Sequence, residues 1–372
     1  SLTPTEVVER ILRYETEAQL ADLRYPRWTS VLCADIAEFA PSPILWARLF
    51  IDQNGNPDLV ETFLRKACEN NETGWQEAAS SCLEQPNLKG AVISIVLTSS
   101  NVSPNLLERT LVHLEGYAQL VTWACSCNQI PEAVIARLLQ HEDSSIAVAA
   151  AEGEWYAEPH GTVRSTLQPL WYRVIVEKAT NQYWLSEVFQ GDPQLAYDWL
   201  CARLQDGYEF YLMSFERVLH SAVNALSLDA RSRLLREIPD DYKVAYLLVM
   251  LINDHINLYR ELLATDRLRP LHLAPLKGNP EGAWLNKALL ALEAGYSPDR
   301  VANAVHGPVG ISVTWSGNES AMWQEWVERF ERLSTSDEER IRRVGIAGRN
   351  YASTRMERAL AIERREAIYG NV

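Results

Sequence analysis

The sequence predicts an all-α protein, and three features predict it. A capping residue followed by proline recurs six times, the apolar residues after these starts keep helical spacing, and sustained period-two alternation is hard to find. The pairs are Thr3-Pro4, Ser42-Pro43, Asn56-Pro57, Ser103-Pro104, Asp192-Pro193 and Ser297-Pro298. In each, the side-chain oxygen can accept a free backbone N–H of the first turn, and proline at the first helical position loses no bond.

From the N-terminus, Thr3 and Glu6 fit a capping box, and Val7, Val8, Ile11 and Leu12 share a face. Leu45, Trp46, Leu49 and Phe50 form a second stripe, and Leu59, Val60, Phe63, Leu64 and Ala67 a third. Later stripes are Leu167, Leu170, Trp171 and Val174; Phe215, Val218, Leu219 and Ala222; and Trp323, Trp326, Val327 and Phe330. Ser316 and Glu319 repeat the capping-box spacing before the last of these. Residues 310–315 are the best strand candidate, and they are few. Helices of about 10–16 residues with short loops are expected throughout.

The middle of the chain repeats itself. Asn101–Glu115 matches Asn128–Glu142 at a shift of 27, with Asn101 on Asn128, Pro104 on Pro131, Leu107 on Val134 and Leu111 on Leu138. The next helices keep step: Ala91, Ala118 and Ser145 align, then Ile93, Leu120 and Ala147, then Leu97, Ala124 and Ala151. Each unit is a helix, a turn with Asn and Pro, and a second helix. Two short helices cannot bury both apolar faces alone, so such units stack into an α-solenoid, expected here to be right-handed.

Residues 74–153 resemble bacterial HEAT-like repeats of the leucine-rich-variant kind. Asn128, Pro131, Glu132, Val134, Leu138, Leu139, the acidic turn His141–Asp143 and the small-residue helix Ile146–Ala151 carry the resemblance. It implies an α-solenoid of HEAT-like helix pairs and a binding scaffold, and it brings no catalytic residues with it. Residues 153–162 break the period and 268–282 are dense in proline and glycine, which reads as a loop or hinge. The expected organisation is therefore HEAT-like repeats over 1–153, longer and more aromatic helical repeats over 154–267, and a helical C-terminal cap region over 268–372. Residues 329–372 hold ten arginines, no lysine and seven acids. Within them, Arg349–Glu366 reads as a charged terminal helix with a narrow apolar line of Ala352, Met356, Ala359, Leu360 and Ile362. A polar last helix caps an open solenoid core.

Composition sets the outer limits. Of 372 residues, 47% are apolar and 23% charged, which fits a folded domain and not a disordered one. Lysine plus arginine total 35 against 49 acids, a formal charge of −14, so binding to nucleic acid or an anionic membrane is disfavoured. No run of 18 apolar residues and no basic-then-apolar leader is present, and a cytoplasmic protein is expected. The start at Ser1 fits a processed product or a segment of a longer chain. Cys33, Cys68, Cys82, Cys125, Cys127 and Cys201 read as free thiols. Only Cys125 and Cys127 are close, and two-residue spacing on a helix turns them about 200° apart, which is poor for one metal.

No catalytic motif emerges. His306 opens a glycine-rich turn with no nucleophile or carboxylate beside it. Asp254-His255 and His141-Glu142-Asp143 are sequence neighbours, which do not face each other on a helix. His113 and His141 occupy nearby turns of successive repeats, as registry alone requires. Lys277–Gly282 lacks the order of a phosphate loop and a preceding strand. Eight tryptophans, at 28, 46, 75, 123, 171, 199, 323 and 326, sit at apolar helical positions and read as core. Trp155, Tyr156 and Trp315 fall in expected loops, where an aromatic can anchor a partner. Arg340, Arg342 and Arg343 form a basic cluster that either pairs with Glu338 and Glu339 or meets a partner's carboxylates or phosphates.

These observations point to a non-catalytic protein-interaction scaffold or target-sensing arm, as in a larger bacterial protein of the anti-phage type. No cofactor or metal is expected, and the partner is a protein with a basic surface. The alternative is a HEAT-like DNA glycosylase, which needs a basic groove. Residues 74–153 hold only Lys89, Arg109 and Arg137 as bases. A hydrolase with a scattered site is a third reading, and it needs a pocket where a carboxylate meets a histidine.

Overall fold

The computed structural model describes residues 3–20, 27–53, 55–99, 101–127, 130–157, 159–207, 216–253, 255–264, 268–277, 280, 282–306 and 318–369. Every regular element among them is helical, with no strand. The strand candidate at 310–315 lies outside the described residues. The chain divides into two compact units, Ser1–Ala179 and Thr180–Val372. This boundary falls between the sequence breaks near 153 and 268.

Each of the six proline starts opens a helix, at Pro4, Pro43, Pro57, Pro104, Pro193 and Pro298. Thr3 and Glu6 close the expected capping box, with Thr3 N donating to Glu6 Oε2 at 2.7 Å. Asn56, Ser103, Asp192 and Ser297 accept first-turn N–H groups as expected. Ser42 does not. There the Glu72 carboxylate, 28 residues from Ile44, accepts from Ile44 N at 3.0 Å and from Ser42 Oγ at 3.3 Å.

In the first unit the odd-numbered helices are α1 (Pro4–Leu20), α3 (Pro43–Asp52), α5 (Trp75–Cys82), α7 (Pro104–Val112), α9 (Glu132–Leu139) and α11 (Gln168–Glu177). The even-numbered ones are α2 (Arg27–Phe39), α4 (Pro57–Glu69), α6 (Lys89–Thr98), α8 (Ala118–Ser126) and α10 (Ser144–Tyr156). Helices touch the next but one. Contacts run α2–α4–α6–α8–α10 in one series and α1–α3–α5–α7, then α9–α11, in the other. Ion pairs bridge α7 to α9 (Arg137–Glu108) and α7 to the turn after α5 (Arg109–Glu84) at separations of 29 and 25 residues, close to the repeat of 27. Lys66–Glu38 does the same between α4 and α2 at 2.5 Å. Such exposed pairs add little stability each, but they favour one register.

The core of this unit sits on the even-numbered series. Ala91 to Leu97 of α6 and Ile146 to Ala151 of α10 are all buried, so neither stretch has a solvent face. Against α4, Phe50 and Trp46 stack on Phe63 at 5.4 and 5.7 Å. The buried stripe of α3 is Pro43, Ile44, Ala47 and Phe50. It is rotated from the expected one, so Leu45 stays 48% exposed.

The second unit repeats the next-but-one pattern. Its helices are α12 (Leu185–Gly191), α13 (Pro193–Gln205), α14 (Glu216–Ala225), α15 (Leu228–Glu237), α16 (Ala245–Ile252), α17 (Ile256–Leu263), α18 (Ala283–Glu293), α19 (Pro298–Asn303), α20 (Glu319–Ser334) and α21 (Glu339–Tyr369). Contacts run α12–α14–α16 and α13–α15–α17–α18. The stretch expected as a loop or hinge instead holds a 3-10 helix, Pro270–Leu276, that continues the first series against α16. Leu271 through Leu276 are all buried. The indole of Trp284 donates to Leu276 O at 2.7 Å and the hydroxyl of Tyr296 to Arg269 O at 2.8 Å. Two prolines preset the backbone for a tight helix whose apolar residues fill a core position.

The chain closes with an α20–α21 hairpin in which α21 has 31 residues. It begins ten residues before the charged stretch expected from Arg349. Gly345 and Gly348 let the two helices meet: a Cβ at Gly348 would stand 2.2 Å from the Phe330 ring. Glu363 of α21 caps α20 by accepting from Ser320 N at 2.9 Å and Ser320 Oγ at 2.6 Å, which holds its carboxyl below the usual range.

Gly153 sets the approach of α10 to α8, since a Cβ there would lie 2.5 Å from Thr122 O and from Cys125 Cβ. Gly153→Ala is expected to cost the first unit about 1–3 kcal/mol by overpacking. Urea unfolding followed by circular dichroism checks this, and an unchanged midpoint contradicts the close approach.

Candidate functional site

Trp155 and Tyr156 stand in the last turn of α10, not in a loop. Trp155 stacks on Trp171 at 5.9 Å, and its indole N–H is buried without a hydrogen-bond partner. His160 folds back to stack on Tyr156 at 5.4 Å and meets Trp155 edge-on at 5.9 Å. Beneath them Glu154, 1% exposed, holds Arg164. Arg164 donates from Nε at 2.9 Å and Nη2 at 2.6 Å, and its backbone N–H adds a third bond at 3.1 Å. The segment after α10 is thus strapped onto the helix, with Trp155 packed within the chain and Tyr156 left 40% exposed. Trp315 lies outside the described residues.

The basic cluster is engaged by the chain's own acids. Arg340 pairs with Glu293 at 3.2 Å and Glu338 at 2.9 Å. Arg343 pairs with Glu339 at 2.8 Å, and Arg342 reaches Glu339 and Ser336 O. Hydrogen bonds from Arg342 and then Arg343 hold the Glu339 carboxyl below its usual range. Arginines without any such partner lie further along α21. Arg358, Arg364 and Arg365 are exposed and carry no ion pair among the described residues. Glu338 and Glu339 are the acids the sequence offered for this cluster, and Glu293, 47 residues from Arg340, is the one partner it did not show.

A second surface was missed altogether. Val31 (59% exposed), Leu32 and Phe39 (83% exposed) lie with Asp35 on one face of α2, open to solvent. Phe39 opens onto a groove of about 420 Å³ lined by Pro4, Ile36, Pro41, Leu45 and Trp46. The signal was present: α2 carries apolar residues on two faces, and Cys33 and Ala37 on the other are buried with Thr29. Beside it, α2 and α4 enclose a polar groove of about 360 Å³ with Glu38, Asp58, Glu61 and Glu69 against Arg65 and Lys66. Both of those bases are already paired, with Glu61 and Glu38. A further groove of about 540 Å³ between α7 and α9 is lined by Glu108, Arg137, His141, Glu142 and an exposed Val112. Trp123, expected in the core, is 48% exposed because α8 buries Val121, Ala124 and Cys125 instead.

His141 accepts from Asp143 N at Nδ1 and so presents Nε2–H to Leu111 O at 3.1 Å. Burial pushes the thiols of Cys33 and Cys125 up to about 12 and those of Cys82 and Cys201 up to about 11. Such thiols are poor nucleophiles and poor metal ligands. Among the described residues no group of three His, Cys, Asp or Glu side chains is placed to hold a metal. No helix among them is long and apolar enough to cross a membrane. In the second unit His272 is buried in the 3-10 helix with Nδ1 unpaired. Burial, then the Arg269 charge, lowers its pKa, while Asp240 opposes them.

Comparison with known protein families, curated proteins and solved structures finds no match for the chain.

Two predictions follow from these geometries. Arg164→Ala leaves the Glu154 carboxylate buried without its cation, and about 3–5 kcal/mol of destabilisation is expected. Unfolding midpoints check this, with faster proteolysis after Tyr156 as the accompanying sign; wild-type values for both contradict the clamp. For His272, the unfolded chain takes up the proton first. The contribution of neutral His272 is therefore complete above the ordinary histidine range near pH ~6.5 and is lost as pH falls below it. His272→Leu is expected to flatten the fall in the unfolding midpoint between about pH 7 and about pH 5; an unaltered slope contradicts this.

Proposed function

We propose that the chain is a HEAT-like α-solenoid acting as a non-catalytic protein-interaction scaffold or target-sensing arm, and that its partner is a protein with a basic surface. The observation that carries the reading is the next-but-one contact of helices in the first unit, joined by ion pairs at 25–29 residues. This is the contact pattern of stacked helix pairs, whose working part is an extended exterior. Charge supports the choice of partner. Residues 1–179 hold 23 acids against 13 lysines and arginines, a formal −10, and acids outnumber bases four to two in the groove between α2 and α4. Arg109 and Arg137, two of the three bases in 74–153, are paired with Glu84 and Glu108, which weighs against the DNA-glycosylase reading. A cytoplasmic setting and a role inside a larger bacterial protein of the anti-phage type belong to the same proposal, by analogy of architecture.

Affinity capture from the native host at low and high salt, with proteins identified by mass spectrometry, tests the proposal. A stoichiometric partner with a basic surface is expected. Its recovery falls at high salt and falls again with Glu61→Lys and Glu69→Lys together. Capture of nothing in stoichiometric amount, or retention of duplex DNA at moderate salt, contradicts it.

A further inference from the structure

Among the described residues two arginines are almost wholly buried, Arg203 at 3% exposure and Arg231 at 7%. Arg203, on α13, is answered by its own chain, with Nη2 paired to Asp206 at 3.1 Å. The half-buried Arg164 is answered in the same way by Glu154. Arg231, on α15, is not. It has no ion pair and no side-chain hydrogen bond among the described residues. Its Nε is sealed from solvent without a partner, whereas solvent reaches its two terminal nitrogens. Burial lowers its pKa, with no carboxylate to offset the effect, yet a guanidinium stays charged at any ordinary pH. Taking a charge out of water is costly unless a counter-charge meets it, so a buried cation unmatched within the chain calls for a counter-charge from outside it.

The fold turns Arg231 towards a neighbouring helix. Ser232 donates to Glu261 of α17, and Arg233 lies over the Tyr197 ring of α13 at 4.9 Å, so α15 gives one flank to each. Arg231 stands about 100° from Ser232 and about 160° from Arg233 around the helix, which places it on the α17 side. Glu261 is the acid that α17 brings to this seam, and it bonds Ser232 instead. Glu237, later on α15, is taken up by Tyr197 and Cys201. Asp229 is exposed and two residues away, on the other side of the helix. The position itself does not require a cation. At a shift of 28, Ala230, Arg231, Leu234 and Leu235 of α15 match Leu258, Tyr259, Leu262 and Leu263 of α17, all of them buried, and α17 fills the same place with a neutral ring.

We infer that the α15–α17 seam binds one oxyanion, a carboxylate or phosphate group of a ligand, end-on at the two terminal nitrogens of Arg231. The guanidinium fork offers parallel N–H donors that match two oxygens of such a group. With Nε sealed, the end of the fork is the side left for it. The surrounding side chains exclude water, so these charge-assisted bonds count for more than at an exposed arginine such as Arg358. The site lies within the second unit and owes nothing to the acidic groove between α2 and α4.

Thermal unfolding of the full chain tests this, with sodium phosphate or sodium acetate replacing chloride up to about 50 mM at constant ionic strength. An anion that binds only the folded state raises the midpoint. A rise is expected with at least one of the two, and the anion that acts more strongly tells a phosphate ligand from a carboxylate one. A general salting effect acts on every variant alike. Arg231→Met keeps the apolar stem and removes the charge. It is expected to weaken the apparent affinity for the anion by about tenfold or more. It is also expected to raise the midpoint in chloride alone, by relieving an unpaired buried charge. Arg203→Met, at the paired arginine, leaves the anion response as it is in the wild type. Midpoints that respond equally, or not at all, in the wild type and Arg231→Met overturn the inference. A lower midpoint of Arg231→Met in chloride overturns it too, because the guanidinium is then satisfied within the chain. Any of these results leaves the proposed partner-binding function standing.

Discussion

Short helices in water must bury more than one face, and this constraint organises the first unit. An isolated helix of ten residues is marginal, and most of its stability comes from packing. The stretches Ala91–Leu97 of α6 and Ile146–Ala151 of α10 meet the constraint fully: they carry only apolar or small residues and no solvent face. Burying each Val, Leu or Ile contributes about 1.5–3 kcal/mol, so these two helices supply a large part of the unit's core. Their neighbours are then fixed in order, since each must cover one flank. Gly153 belongs to the same logic: it is the point at which α10 comes close enough to α8 for Thr122 Oγ1 to donate to Ala149 O at 3.2 Å.

What lies outside this core is an exterior of mostly paired charge. The ion pairs Lys66–Glu38 and Arg137–Glu108 run between helices two apart, and Arg109–Glu84 joins α7 to the turn after α5. They occupy most of the bases of the first unit's middle and leave its acids in excess. In the second unit the same economy covers Arg340, Arg342 and Arg343 and stops before Arg358. Exposed apolar side chains lie at the α2 face (Val31, Leu32 and Phe39), and exposed arginines without an ion pair among the described residues lie on the distal α21 (Arg358, Arg364 and Arg365).

Local signals were legible in the sequence and distant ones were not. Capping residues act within one turn, so the six proline starts could be read directly. Glu72 capping α3 could not be read, because the acceptor comes from the end of another helix. Gly153 looked like a breaker because its packing partner on α8 is about 30 residues away, so Trp155 and Tyr156 were assigned to a loop. The prolines at 270 and 275 looked like a hinge because proline stops α-helices; a 3-10 helix tolerates them and its leucines fill the core. The exposed face of α2 was hidden by the assumption that each helix has one apolar stripe, whereas α2 carries two and leaves Val31, Leu32 and Phe39 exposed.

Native-state hydrogen exchange measures the central claim most directly. If α6 and α10 are the shared core, amides 92–97 and 147–151 open only with the whole first unit, and they are its most protected group. The exposed end of α2 then exchanges through smaller openings. Exchange of α6 and α10 as fast as that of α2 would contradict the account.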